Sequence, residues 1–193
     1  MVNLTAINKT KRKYTDTDHE LLFLGIFQDK GLNPSQRSLD SLIDNALSEA
    51  IECDGFSGQK DKQLNIYGNN SIKRIVLIGL GNQTKFTSDS ARSLASNICR
   101  YANNINISEF SVDGDSFGLQ KNGYTQAFAE GLVLGSYEFK DYKTEDDECN
   151  KPESATIFGN VEQKNLNKGF ALGKAVGFSR DLGNPPANIL TPS

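Results

Sequence analysis

The strongest strand signal in this chain is the run Arg74-Ile75-Val76-Leu77-Ile78-Gly79-Leu80-Gly81. Its consecutive aliphatic residues are typical of a strand that is buried on both faces of a sheet. After the glycine pair, Thr87 is a plausible N-cap for a helix over residues 91–105, where apolar residues recur at helical spacing. A buried strand followed by an amphipathic helix is the repeating unit of a parallel α/β sheet.

The same alternation of strands and helices extends to both sides of this unit. Apolar and alternating runs predict strands at residues 2–7, 21–27, 63–67, 74–78, 107–112 and 155–158, the first of them at a sheet edge. Helical spacing predicts helices at residues 39–51, 91–105, 120–137 and 166–182. Glycines lower the propensity of the last helix, so we expect it to pack closely against another element. The predicted fold class is α/β, a layered and mostly parallel sheet flanked by helices.

The composition is that of a globular domain with a mild acidic balance. A chain of 193 residues is long enough for one sizeable domain, and its net charge of −3 argues against a nucleic-acid-binding surface, which is usually basic. Charged residues interrupt the start of the chain at Lys9–Lys13, so a signal peptide is not expected, and the apolar runs are too short to span a bilayer. Cys53, Cys99 and Cys149 are widely spaced and odd in number, which indicates reduced thiols. We therefore expect a cytoplasmic protein without membrane contact.

The segment Gly79-Leu80-Gly81-Asn82-Gln83-Thr84 is the best candidate for a phosphate-binding loop, because it lies between a strand and a helix. The third glycine of the dinucleotide fingerprint is missing, and the helix starts too late to present its N-terminus to a phosphate. No acidic residue stands at the distance expected for ribose binding, since Asp113 comes too late. A tight turn between strand and helix is the favoured interpretation, and phosphate binding is the alternative.

Three other groups of residues were weighed as sites. His19 is the single histidine and has no nucleophile in a recognisable elbow, so we expect a surface residue at a strand entrance. The acidic run consists of Glu145, Asp146, Asp147 and Glu148, and it lacks the spacing of an EF-hand, so we expect a solvated acidic loop. Before this run we expect Tyr137, Phe139 and Tyr142 to cover the sheet or to meet a partner. The basic residues Lys9, Lys11, Arg12 and Lys13 predict a solvated turn.

The final residues, Arg180-Asp181-Leu182-Gly183-Asn184-Pro185-Pro186-Ala187-Asn188-Ile189-Leu190-Thr191-Pro192-Ser193, are typical of a joint between domains. The prolines stop the preceding helix near Gly183, a suitable left-handed cap. Thr191-Pro192 is a helix-start signal, so we expect either a frayed terminus or a protein that continues. This stretch resembles the segment that joins the two domains of the leucine aminopeptidase (cytosol aminopeptidase, leucyl aminopeptidase) family.

Three earlier segments resemble the amino-terminal domain of the same family, in the same order. They are Asp54–Gly58 with its Phe-x-Gly turn, Arg74–Gly81 with its Gly-Leu-Gly end, and Ala129–Phe139 with its Glu-Gly-x-x-Leu-x-x-Tyr-x-Phe helix. The resemblance implies an α/β domain of the macro-domain type over residues 1–160. It implies that residues 161–193 form a linker helix and the start of the catalytic domain.

The resemblance also implies what this chain does not do by itself. In the family, two divalent metal ions, zinc or manganese, are held by Asp, Glu and Lys in the carboxy-terminal domain and activate water for removal of the N-terminal residue of a peptide. None of those ligand motifs occurs before Ser193, so we assign no catalytic, cofactor-binding or metal-binding residue here. The expected role is structural, within a homohexamer and against its own catalytic domain.

Two alternatives stay open on the sequence. The chain could be a stand-alone macro-like module that binds ADP-ribose or another nucleotide, and Gly79–Gly81 is the feature that supports this alternative. The acidic net charge disfavours DNA as a ligand. A stand-alone regulator could instead join full-length hexamers.

Overall fold

The computed structural model describes residues 2–68, 71–121, 123–139 and 151–184. Several sequence predictions fall outside these residues. They concern Tyr142, Cys149, the acidic run Glu145–Glu148 and the segment 185–193.

The chain alternates between strands and helices, as the sequence predicts. The strands are β1 (Ala6–Thr10), β2 (His19–Phe27), β3 (Gln63–Tyr67), β4 (Ile72–Gly81), β5 (Glu109–Asp113) and β6 (Ser154–Phe158). The α-helices are α1 (Pro34–Leu42), α2 (Ala46–Cys53), α3 (Ser88–Asn104), α4 (Tyr124–Gly135) and α5 (Gln163–Gly183). Short 3₁₀ helices at Tyr14–Asp16 and Gln83–Lys85 lie in two of the connections.

The strands form a six-stranded sheet in the order β1-β6-β5-β2-β4-β3. Every neighbouring pair is parallel except β3, which runs antiparallel to β4 at one edge. The carboxyl ends of β1, β6, β5, β2 and β4 therefore meet along the same side of the sheet. In open sheets of this kind, ligands usually bind at that side.

Two hydrophobic cores lie on opposite faces of the sheet, so the architecture has three layers. On β2, Leu21 and Phe23 point into the core shared with α3, α4 and α5, whereas Leu22 and Leu24 point into the core shared with α1 and α2. This alternation is the period-2 pattern of a strand, with apolar residues at both phases because both faces are covered. The prediction of a mostly parallel, covered sheet is confirmed.

Three predicted elements differ clearly from the structure in extent. The edge strand is Ala6–Thr10 rather than residues 2–7, and Val2 forms only an isolated bridge to Tyr137. The helix predicted at 39–51 is two helices, because Asp44 and Asn45 adopt left-handed φ values of 55° and 63°. The strand predicted at 107–112 is Glu109–Asp113, which brings Asp113 into the sheet.

Glycines allow α3, α4 and α5 to pack at very short range. A Cβ at Gly135 of α4 would lie 2.5 Å from the carbonyl oxygen of Ser96 on α3. A Cβ at Gly173 of α5 would lie 2.6 Å from the Val133 Cβ on α4. The glycines of α5 therefore serve close packing, as expected from the sequence, and they fix which side of α5 faces the domain.

Candidate functional site

The glycine pair that supported phosphate binding belongs to β4 and is already engaged by the chain itself. The Gly79 N–H donates to the Lys62 carbonyl at 2.8 Å, and the Gly81 N–H donates to the Gly58 carbonyl at 2.9 Å. Gly81 has a φ of 69°, and Gly79 leaves room for the backbone of residues 58–60. The predicted connection from strand to helix therefore lies later than the glycine pair: a loop pairs with these glycines and extends β4 to Gly81, and the 3₁₀ helix Gln83–Lys85 leads on to α3.

A cleft of about 660 Å³ lies beside this strand end, between β4 and the face of α3. Lys60, Asn82 and Lys85 line it together with Ser90 and Asn97 of α3. The two glycine N–H groups point to carbonyl groups rather than into the cleft, so the backbone cradle that a phosphate requires is missing.

His19 is buried at the start of β2, with only 7% of its surface exposed, so the prediction of a surface residue is wrong. Its Nε2 lies 2.8 Å from the Tyr14 carbonyl oxygen and its Nδ1 lies 2.9 Å from the Ser111 Oγ. A carbonyl can only accept, which assigns the proton to Nε2 and makes Nδ1 an acceptor of the Ser111 hydroxyl. Burial lowers the pKa of His19, and this neutral, fully bonded ring has a structural role.

A pocket of about 290 Å³ lies at the carboxyl ends of β1, β5 and β6. At its inner end are the Asp113 carboxyl, which is 3% exposed, and the Tyr14 hydroxyl, on a side chain that is 4% exposed. Asp113 closes β5, and Tyr14 is brought over the sheet by the connection from β1 to β2, where its ring packs edge-on against Phe158 at 6.2 Å between centroids. No local sequence pattern predicts this pair, because only the three-dimensional path of residues 11–18 brings Tyr14 to Asp113.

The electrostatics of this pocket are unusual for a domain surface. Burial raises the pKa of Asp113 to about 6, and the neighbouring Asp115 adds to the effect. Burial also raises the pKa of Tyr14, with a further contribution from Asp113. Lys11, Arg12 and Lys13 line another part of the same pocket. The basic residues predicted as a solvated turn thus stand at a concave site, except Lys9, which lies in β1 and donates to the Val161 carbonyl at 3.2 Å.

The outward side of α5 carries most of the exposed apolar surface of the described chain. Among the described residues six large apolar side chains are exposed, and four of them belong to α5: Leu172 (41%), Val176 (38%), Phe178 (63%) and Leu182 (52%). We call these four residues the α5 face. The opposite side of α5 packs on α4 through its glycines, so the helix has exposed apolar side chains in addition to its packed side, with Lys174, Ser179 and Arg180 exposed among them.

The end of α5 is fixed to the domain by polar contacts. The Tyr137 hydroxyl, just after α4, donates to Asp181 Oδ1 at 2.9 Å and accepts from Asn184 Nδ2 at 2.9 Å. Arg180 lies over the Tyr137 ring at 5.4 Å from its centroid. Tyr137, for which the sequence allowed either sheet cover or a partner contact, therefore holds the last described turn of α5 against the end of α4.

The described residues contain no group of three or more His, Cys, Asp or Glu side chains that could hold a metal ion. A two-metal hydrolytic centre does not fit the residues present in this part of the protein. The described residues also contain no helix that is long and apolar enough to cross a membrane.

Curated relatives similar to this chain are named as probable cytosol aminopeptidases. That of Sulfurihydrogenibium sp. strain YO3AOP1 is 30% identical over 193 residues, which cover 95% of this chain and 38% of the relative. That of Alkaliphilus oremlandii is 30% identical over 186 residues, which cover 90% of this chain and 37% of the relative. The chain thus spans less than two fifths of the length of these relatives.

The similarity to solved structures agrees with the similarity to these relatives. A tomato leucine aminopeptidase mutant matches all of this chain and 40% of its own length, with a TM-score of 0.78 and 26% identity. A macrodomain from Trypanosoma brucei matches 88% of this chain with a TM-score of 0.56 at 13% identity, which is a likeness of fold alone. The family model "Cytosol aminopeptidase family, N-terminal domain" matches residues 23–146, and these include the loop at Gly58 and the β4 glycines that contact it. The chain therefore belongs to the cytosol aminopeptidase family, as its N-terminal domain.

Proposed function

We propose that this chain is the non-catalytic front part of a metal-dependent leucyl aminopeptidase, which removes N-terminal residues from peptides. Its own contribution is structural: it supports the catalytic part and the assembly of subunits. The observation that carries this proposal is the α5 face, an apolar surface on the last described helix of a domain that spans about 38% of a related aminopeptidase.

The α5 face has the properties of a surface that needs a partner. Full burial of a Leu, Val or Phe side chain stabilises a structure by about 1.5–3 kcal/mol, so four exposed side chains on one helix represent a substantial unused driving force. Contiguous apolar patches on soluble domains usually mark contacts with other protein surfaces. The catalytic domain that follows in the family is the natural occupant, because α5 leads directly towards it.

Several finer assignments belong to the same proposal. Residues 1–160 form the macro-like domain, and residues 161–193 connect it to the catalytic domain. Two divalent metal ions, zinc or manganese, are held by that second domain, and no residue of this chain is catalytic or a metal ligand. The parent enzyme acts on peptides, assembles as a homohexamer and, like the relatives named cytosol aminopeptidases, works in the cytoplasm without a membrane or nucleic-acid partner.

The structure does not support the Gly79–Gly81 pair as the phosphate-binding feature of a nucleotide-binding module. The Gly79 and Gly81 N–H groups donate to carbonyl groups of residues 58 and 62, so they are not available to a phosphate. The likeness to a macrodomain concerns the fold, and function has to be argued from a site.

The source gene tests the proposal when it is read beyond the codon for Ser193. We expect an open frame whose product carries the Lys, Asp and Glu residues of a two-metal site. A stop codon directly after Ser193 would contradict the proposal, and the stand-alone regulator would then become the leading hypothesis. Size-exclusion chromatography with and without a full-length aminopeptidase hexamer would test that role.

A further inference from the structure

The pocket at the carboxyl ends of β1, β5 and β6 contains two buried polar atoms that make no hydrogen bond of good geometry with the described residues. Asp113 Oδ1 accepts a long hydrogen bond from the Ser116 N–H at 3.4 Å, but Asp113 Oδ2 has no hydrogen-bond partner. The Tyr14 hydroxyl beside it also makes no hydrogen bond of good geometry, although the Asp113 carboxyl and the Ser35 side chain are near enough to interact with it. Buried polar groups in native proteins are nearly always bonded, so such a pair requires an explanation.

A buried carboxylate without a partner weakens the fold. Burial and the nearby Asp115 both disfavour the ionised form of Asp113, which is why its pKa lies near 6. An Asn or Ser at the end of β5 could accept the Ser116 N–H without that cost. Residues that lower stability in this way are typical of functional sites rather than of structural ones.

The charges around the pocket are separated by sign. Asp113 and Asp115 supply carboxylates at the ends of the strands, whereas the connection after β1 supplies three cations, Lys11, Arg12 and Lys13, and one carboxylate, Asp16, so that this connection is positive on balance. We propose that this pocket binds a free α-amino acid as its zwitterion, with the ammonium group towards Asp113 and the carboxylate towards Lys11–Lys13. The three N–H donors of the ammonium would satisfy both Asp113 Oδ2 and the Tyr14 hydroxyl.

The size of the pocket agrees with a small ligand. Pockets for drug-sized ligands measure roughly 300–1,000 Å³, and this one, at about 290 Å³, lies at their lower limit. Because Tyr14 and Asp113 are almost completely covered, the Tyr14 side chain has to shift for the ammonium to reach the carboxylate. The Tyr14 environment should therefore change on binding.

Other ligand classes fit the pocket less well. A divalent cation is disfavoured because Asp16, Asp113 and Asp115 do not form a group that could hold a metal ion, and three basic side chains oppose it. A phosphate would face the same carboxylates and would find few donors at the start of α1. Pro34 has no N–H there, and the Gln36 N–H already donates to the Asn33 side chain at 2.8 Å. The proposal does not depend on the proposed function, although free amino acids are also what an aminopeptidase releases.

A titration followed by NMR tests the proposal on the ¹⁵N-labelled 193-residue chain. The probes are L-leucine, L-serine, L-glutamate and L-lysine, each added separately to about 10 mM. We expect at least one of them to shift the amide signals of Tyr14, Asp113 and Ser116 with a Kd below about 1 mM. The comparison ligands are 4-methylpentanoate and 3-methylbutylamine, which each lack one charge of leucine, and ADP-ribose. Absence of shifts with all four amino acids, or equal shifts with a comparison ligand, would overturn the proposal.

Two substitutions locate the site. Asp113→Asn keeps an acceptor for Ser116 and removes the buried charge, so it should fold, and we expect it to weaken binding at least about tenfold. Asp54→Asn makes the same chemical change at an exposed residue after α2 and should leave the affinity unchanged. Equal affinity in the Asp113→Asn and Asp54→Asn proteins would show that the amino acid does not bind at Asp113.

Discussion

Replacement of Asp113 by asparagine should stabilise the domain at neutral pH, although it removes a buried charged group. The side chain is 3% exposed, and its pKa rises from an ordinary 3.8 to about 6 because burial disfavours the carboxylate. One pKa unit corresponds to about 1.4 kcal/mol of free energy, so a shift of about two units corresponds to up to about 3 kcal/mol. We expect Asp113→Asn to raise the free energy of unfolding by about 1–3 kcal/mol at pH 8.

The sign of the pH dependence follows from which state binds more protons. The folded pKa of Asp113 is higher than its unfolded pKa, so between about pH 4 and pH 6 the folded state holds the extra proton. Protonation of Asp113 therefore favours folding at low pH, and this contribution is lost as the pH rises through about 6. The stabilisation by Asp113→Asn should be largest at pH 8 and should shrink towards zero near pH 4.

Urea unfolding followed by far-UV circular dichroism measures both quantities across this pH range. Burial lowers the pKa of His19, so its contribution has the opposite sign and is lost as the pH falls below about 6.5. The unchanged chain and the Asp113→Asn protein both contain His19, so the difference between their free energies of unfolding reports on Asp113 alone. Asp54→Asn is the control for the loss of a surface charge. A destabilised Asp113→Asn protein at pH 8, or a difference that is the same at pH 8 and pH 4.5, would refute the reasoning.

Two further predictions concern the helices. Gly131→Ala would place a Cβ 2.9 Å from the Ala95 Cβ and closer still to the Arg92 carbonyl oxygen, so we expect a loss of about 2 kcal/mol or more in urea unfolding. The control is Gly183→Ala, whose Cβ would have no atom within 4 Å and which should leave the stability unchanged or slightly raised. Equal changes in the free energy of unfolding for Gly131→Ala and Gly183→Ala would contradict the close packing of α3 on α4. The double change Phe178→Ser and Leu182→Ser should alter the stability of the isolated chain by less than about 1 kcal/mol, because both side chains are more than half exposed. The same change should reduce self-association in analytical ultracentrifugation, and a strongly destabilised variant would show that the α5 face belongs to the domain core.

The layered sheet could be predicted because each strand and helix carries its own local pattern. The apolar run in β2 and the helical spacing in α3 determine those elements without knowledge of their neighbours. The break between α1 and α2 could not be seen, because Asp44 and Asn45 adopt left-handed backbone angles without the glycine or proline that usually marks such a point.

The functional surfaces depend on contacts between distant segments, and this is why the sequence revealed them incompletely. The Gly79–Gly81 pair suggested a ligand loop until the structure showed that residues 58–62 occupy it. Tyr14 and Asp113 are nearly a hundred residues apart, and no local pattern marks either of them as part of a pocket. The α5 face could not be predicted, because the elements packed around this helix decide which of its apolar side chains are covered.

Hydrolysis of leucine amide by the purified 193-residue chain tests the central claim most directly. The assay would add Mn²⁺ or Zn²⁺ in separate reactions, with a full-length aminopeptidase of the family at equal concentration as the positive control. The account predicts no release of leucine above the buffer blank, because the metal centre belongs to another part of the enzyme. Metal-dependent release of leucine that co-elutes with the 193-residue chain would contradict the assignment of this domain as non-catalytic.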